Sequence, residues 1–128
     1  MSEEEQASID LDQKVEEAVL IIQSSEGAPM KGIAMLKEVL EQQPEHVKAN
    51  FWLGEFSLYS GQFQKAIPRF EMVLKVEPDN KEAALRWAST FVNLNDNAKA
   101  KDVLSQFIEA NPSHEDLDEM KDMLNNIN

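Results

Sequence analysis

His46 and His114 are the residues best equipped for acid–base or metal chemistry, and they are the only two histidines in the chain. A histidine base needs a nucleophile and an orienting carboxylate beside it, and a histidine ligand needs further ligands at fixed spacing. Neither residue has such company in the sequence. Each follows a proline by two positions, Pro44 and Pro112, so both are expected to be solvated turn residues. Asn93-Leu94-Asn95-Asp96-Asn97 has the polar content of a calcium loop but lacks its spacing, its central glycine and its closing glutamate. Cysteine is absent, which removes thiolate chemistry, disulfides and cysteine-based zinc sites. No phosphate-binding glycine loop occurs. No catalytic residue, metal ligand or cofactor is therefore expected, and the chain is not expected to be an enzyme.

The charge pattern narrows the partners. The net charge of −12 is uneven. Residues 1–46 hold 11 acids and 3 bases, residues 47–80 and 81–114 hold 4 of each, and residues 115–128 hold 5 acids and 1 base. The ends are acidic and the middle is neutral. Nucleic-acid affinity needs clustered Lys and Arg, and no such cluster occurs, so nucleic acid is not an expected partner. The longest apolar run, Val19–Ile22, is far short of the roughly 20 residues of a membrane span. The acidic N-terminus does not read as a secretory signal. Cytoplasmic residence is favoured, and a periplasmic one requires that a targeting segment has been removed.

What remains is an architecture. Gly and Pro are scarce, at 4 and 5 residues, and the rest of the composition leans helical. Residues 1–12 read as a polar lead-in, with Asp10 able to cap the helix that follows. Leu11, Val15, Ala18, Val19 and Ile22 fall at helical spacing, and the pattern stops at Ser24-Ser25-Glu26-Gly27. Pro29 suits the first turn of a second helix. Two further helix pairs follow, broken at Gly61 and Asn95 and closed by Pro78 and Pro112. Pro68 removes a backbone bond inside one of these helices and is expected to bend it. Ser113 and Asp116 resemble a capping box for a last helix striped with Leu117, Met120, Leu124 and Ile127.

The pairs repeat at one constant interval. Gly27, Gly61 and Asn95 are evenly spaced, and Pro44, Pro78 and Pro112 keep the same spacing. So do the small residues Gly32, Ala66 and Ala100. Leu36, Phe70 and Leu104 form a further column, as do Val39, Val73 and Phe107, and Val19, Leu53 and Trp87. This pattern resembles the tetratricopeptide repeat, a 34-residue helix–turn–helix unit. The middle unit carries Leu53-Gly54, Ala66 with Phe70 four residues on, and Pro78. It departs from the family pattern at Asn50 and Ser57, where Trp and Tyr are usual. The resemblance implies an all-α, right-handed solenoid. Its units would be residues 13–46, 47–80 and 81–114, with a capping helix over residues 115–128. The polar ends then read as solubility caps.

The resemblance also implies a groove lined by the first helix of each unit. The expected lining is Lys48, Phe51, Trp52, Glu55, Leu58, Tyr59, Leu85, Arg86 and Val92, an apolar patch edged by Lys48, Glu55 and Arg86. Adjacent Phe51 and Trp52 cannot both enter one core, so Trp52 is read as an interface residue, with core packing as the alternative. Leu53, Phe56, Phe70, Trp87 and Phe107 are expected in the core. Some family members clamp a partner's C-terminal carboxylate in this groove. Here Glu17, Ile21, Trp52 and Glu82 occupy the clamp columns and only Arg86 fits, so such a carboxylate is disfavoured. The expected function is protein–protein interaction with a peptide or partner protein, or self-association into a homo-oligomer through the same patch.

Overall fold

A computed structural model describes residues 1–24 and 29–128 of the chain. Seven α-helices are present among them: α1 (Glu3–Gln23), α2 (Pro29–Gln42), α3 (Val47–Tyr59), α4 (Phe63–Val76), α5 (Lys81–Asn93), α6 (Asn97–Ala110) and α7 (Asp118–Asn126). No strand occurs among the described residues. Ser25, Gly27 and the break they were expected to mark lie outside them.

The helices pack as successive pairs, α1 with α2, α3 with α4 and α5 with α6, and α7 closes on α6. α1 touches α3 and α3 touches α5, so the first helices of the pairs line one common side. Buried apolar residues gather in two clusters. One joins Val15, Val19, Leu36, Val39 and Leu53 across α1, α2 and α3. The other joins Leu85, Phe91, Leu104, Phe107 and Met120 across α5, α6 and α7. Leu117 and Met120 are buried, and Leu124 and Ile127 pack beside them. The stripe of the last helix therefore covers the end of the stack.

Small residues sit where helices cross. A Cβ on Gly32 would lie 2.6 Å from the Ala18 carbonyl oxygen. On Gly54 it would lie 2.8 Å from Cε1 and Cζ of the Phe70 ring. Ala66 and Ala100 have no exposed surface. Two turns need left-handed backbone, at Gly61 (φ 78°) and Asn95 (φ 61°). Glycine and asparagine tolerate that region best, which is why they recur in this column.

Several helix ends depart from expectation. α1 starts at Glu3, capped by the Ser2 hydroxyl, which accepts from the Glu5 N–H. Asp10 is inside the helix and accepts from the Gln6 side chain one turn earlier. The lead-in is helical because Glu3, Glu4 and Glu5 favour the positive end of the helix dipole. α7 starts at Asp118, with Leu117 at the cap position and no side-chain cap. Ser113 and Asp116 thus form no capping box; Asp116 instead accepts a 3.1 Å bond from Lys81 of α5. α4 runs unbroken through Pro68.

Candidate binding face of α1, α3 and α5

The N-terminus of α3 is built by a histidine. His46 is only 7% exposed. Its Nδ1 accepts from the Ala49 N–H at 3.2 Å, and its Nε2 lies 2.7 Å from Asp12 Oδ1 on α1. An accepting Nδ1 places the ring proton on Nε2, facing Asp12. His46 is therefore a buried helix cap tied to the preceding unit. This corrects the expectation of a solvated residue, which ignored that imidazole can accept at a cap as Asn does. Asn80 does the same for α5, accepting from the Ala83 N–H at 3.0 Å. His114 packs its ring 5.8 Å from Phe107, so it is not freely solvated either. His46, Asn80 and His114 occupy one column of the repeat. That column was the signal by which the capping role shared by His46 and Asn80 could have been found.

Side chains from neighbouring units meet along this side of the molecule. Lys48 pairs with Glu16 of α1, and Lys81 with Asp116. Arg86 of α5 reaches across to Glu55 of α3, Nε to Oε1 2.8 Å, and lies 3.8 Å from Glu82 one turn back. The Nε–H is not aimed at Glu55 Oε1, so charge holds this contact more than hydrogen-bond alignment. Glu55 is 7% exposed. Burial raises its carboxyl above the ordinary range, and Arg86 pulls it part of the way back. Its place beside Arg86 is a cross-unit tie, and it does not rim a solvent-facing patch.

The expected patch is only partly brought together. Leu85 is 3% exposed and belongs to the C-terminal core cluster. Trp52 is half-buried against the N-terminal cluster. Phe51 sets its ring edge-on to Trp52 at 6.0 Å and to Phe70 at 5.9 Å. Adjacent residues on a helix diverge by about 100°, so the two rings serve two different packing surfaces. Val92 is half-buried against the C-terminal cluster. Among the expected core residues, Leu53, Phe70 and Phe107 are buried, and Phe56 and Trp87 are half-buried against the two clusters. Among the described residues, Tyr59 is the one large aromatic left open, 80% exposed. With Leu58, Phe63, Arg86, Ser89 and Asn93 it lines a concavity of about 450 Å³ between α3 and α5. Phe63 was missed in the sequence because its place in the second helix suggested the core.

Comparisons with known proteins agree with the fold. The chain resembles a solved MamA mutant at 20% identity with a TM-score of 0.68, over 86% of this chain and 63% of that one. It resembles MamA from AMB-1 at 21% identity with a TM-score of 0.69, over 81% of this chain and 56% of that one. The chain thus spans about three fifths of those proteins' length, and identity at this level speaks for the fold alone. A family model described as tetratricopeptide repeat matches residues 57–124, more than half of the chain. Helix pairs, small crossing residues, left-handed turns and this match lead to one assignment: the chain belongs to the tetratricopeptide repeat family, a family of protein-interaction scaffolds.

Proposed function

We propose that the chain binds a peptide segment of a partner protein in the concavity between α3 and α5, with Tyr59 as its anchor. The observation that carries this reading is Tyr59 itself, a large amphipathic ring left 80% exposed at the edge of a cavity. Tyr and Arg dominate interface energetics when a partner desolvates them. Leu58 and Phe63 supply apolar floor, and Ser89 and Asn93 supply polar edges.

Charge selects the partner. The cations of this face are already matched, Lys48 by Glu16, Arg86 by Glu55 and Glu82, and Lys81 by Asp116. An incoming carboxylate would have to break one of these pairs. A neutral or basic segment meets no such cost and is steered by the chain's net charge of −12,. The expected occupant therefore carries apolar side chains with Lys or Arg nearby.

Selection from a displayed peptide library tests this. Enriched sequences are expected to be basic or neutral, and to bind Tyr59→Ala about 30-fold more weakly, the effect of losing an anchor worth roughly 2 kcal/mol. Hits that bind Tyr59→Ala as well as wild type refute the site. Light scattering distinguishes the other occupant. A dimer that Tyr59→Ala converts to monomer means that a second copy fills the cavity.

A further inference from the structure

The chain contains its own control for a second site. Two successive units form a junction in which the second helices stand apart over the first helix of the later unit. At the later junction, between α4 and α6, that gap is closed. Trp87 fills it, half-buried against the C-terminal cluster together with Ile67 and Val103. Lys99, on the same unit, is satisfied. It lies 3.7 Å from Asp96 and 5.7 Å from the centre of the Phe91 ring.

At the earlier junction, between α2 and α4, Ile33 keeps the place of Ile67 but the other closing residues are replaced. One repeat before Trp87, Phe91, Asp96 and Val103 stand Leu53, Ser57, Gln62 and Arg69. Leu53 is shorter than tryptophan, and a cavity of about 770 Å³ is left with Ile33, Leu53 and Phe56 as apolar floor. Its rim carries Lys37, Lys65 and Arg69. No carboxylate among the described residues lies within 4.0 Å of any of these three cations, although the chain has 24 Asp and Glu. The Arg69 guanidinium has a single weak partner, Asn50 Oδ1 at 3.5 Å. Burial lowers its pKa, which marks a cation that has lost water and gained no counter-charge.

We infer that this junction is a second binding site, taking an acidic amphipathic segment of a partner protein whose apolar side chains enter the cavity while its carboxylates meet Lys37, Lys65 and Arg69. The apolar floor requires an apolar occupant, and three unmatched cations around it require an anionic one. A second copy of this chain is the poorer occupant, since it would bring a net charge of −12 against another,. The site is separate from Tyr59 and accepts the opposite charge, so the scaffold has two faces of different selectivity.

The chain's own later unit supplies the variants. Lys37→Glu copies Glu71 and sits at an exposed position, so the fold is preserved. Leu53→Trp copies Trp87 and fills the cavity. The probe is a panel of fluorescent peptides with Leu, Ile or Phe spaced three and four residues apart and Asp or Glu between them. Each is paired with an Asn/Gln counterpart and read by anisotropy. At least one acidic peptide is expected to bind, tenfold or more tighter than its amide counterpart and more weakly as salt rises. Lys37→Glu is expected to weaken it at least tenfold, Leu53→Trp to remove it, and Tyr59→Ala to leave it unchanged. The inference is overturned if no acidic peptide binds, if the amide peptides bind equally, or if Lys37→Glu leaves binding intact. A dimer that Lys37→Glu converts to monomer also overturns it, because the occupant is then a second copy. Loss of binding in Tyr59→Ala would place these peptides at the other face and overturn the second site.

Discussion

Gly54→Ala sets two effects of opposite sign against each other at one atom. Alanine is the better helix former, by about 1 kcal/mol over glycine in a helix interior. Taken alone, that makes the substitution stabilising. The added methyl, however, would stand 2.8 Å from two carbons of the Phe70 ring and 3.1 Å from a third. The ring would have to retreat by roughly 0.7 Å to restore a carbon–carbon contact near 3.5 Å. Phe70 has no exposed surface, and Phe51 rests edge-on against it at 5.9 Å, so it has little room to move. Overpacking of this kind costs about 1–3 kcal/mol. The steric term wins, and Gly54→Ala is expected to destabilise the fold by about 1 kcal/mol, lowering Tm by roughly 3–5 °C for a chain of this size. Urea and thermal unfolding followed by circular dichroism measure it. The decisive arm is the same change made in a Phe70→Leu background. With the ring gone, alanine is expected to stabilise by up to about 1 kcal/mol, reversing sign. A rise in Tm for Gly54→Ala in the wild-type background, or equal losses in both backgrounds, would refute the account.

Glu55→Gln tests the buried carboxylate through pH. Its folded-state pKa is raised by burial, so the folded chain holds that proton more tightly than the unfolded chain. Stability is then lost as pH rises from the ordinary carboxylate value of about 4.3 through the raised one. Relative to wild type, Glu55→Gln should improve as pH rises above about 4 and level off once the raised pKa is passed, measured by urea unfolding at each pH; a relative loss as pH rises would contradict the burial cost. His46→Ala removes a cap and the Asp12 tie, and should cost about 1–2 kcal/mol. His46→Asn, copying Asn80, should recover most of that loss, because the cap needs only a short side-chain acceptor. Equal Tm values for the two variants would deny His46 a capping role.

The repeat was legible because the period is imposed by packing. Residues such as Gly32, Ala66 and Ala100 must be small wherever paired helices cross, and Gly61 and Asn95 must tolerate positive φ wherever the turn closes. The lining of the face was legible only in part. Leu85 and Trp52 sit in the right helices but turn their bulk into the core, and a linear pattern does not tell a first helix's inner side from its flank. Glu55 looked like a solvent-facing edge because its partner Arg86 belongs to the next unit and the bond between them exists only after stacking. The reach of α1 back to Glu3 was hidden by polar residues, since helix formation there owes nothing to an apolar stripe. The open junction at Leu53 was visible in principle, as a leucine facing a tryptophan in the repeat alignment, but its meaning depended on knowing what the tryptophan fills.

The two clusters of buried residues make the molecule a short row of links more than one indivisible body. α4 stands between them and shares most of its contacts with its immediate neighbours. In such an array each unit leans only on the next, so the terminal pair α1–α2 can open while α5 to α7 stay folded. The free energy for exposing an amide then varies along the chain, lowest at the outer helices and highest near Phe70. Both proposed binding faces cross a boundary between units, and each occupant would therefore act as a clasp, coupling the melting of units that otherwise let go separately.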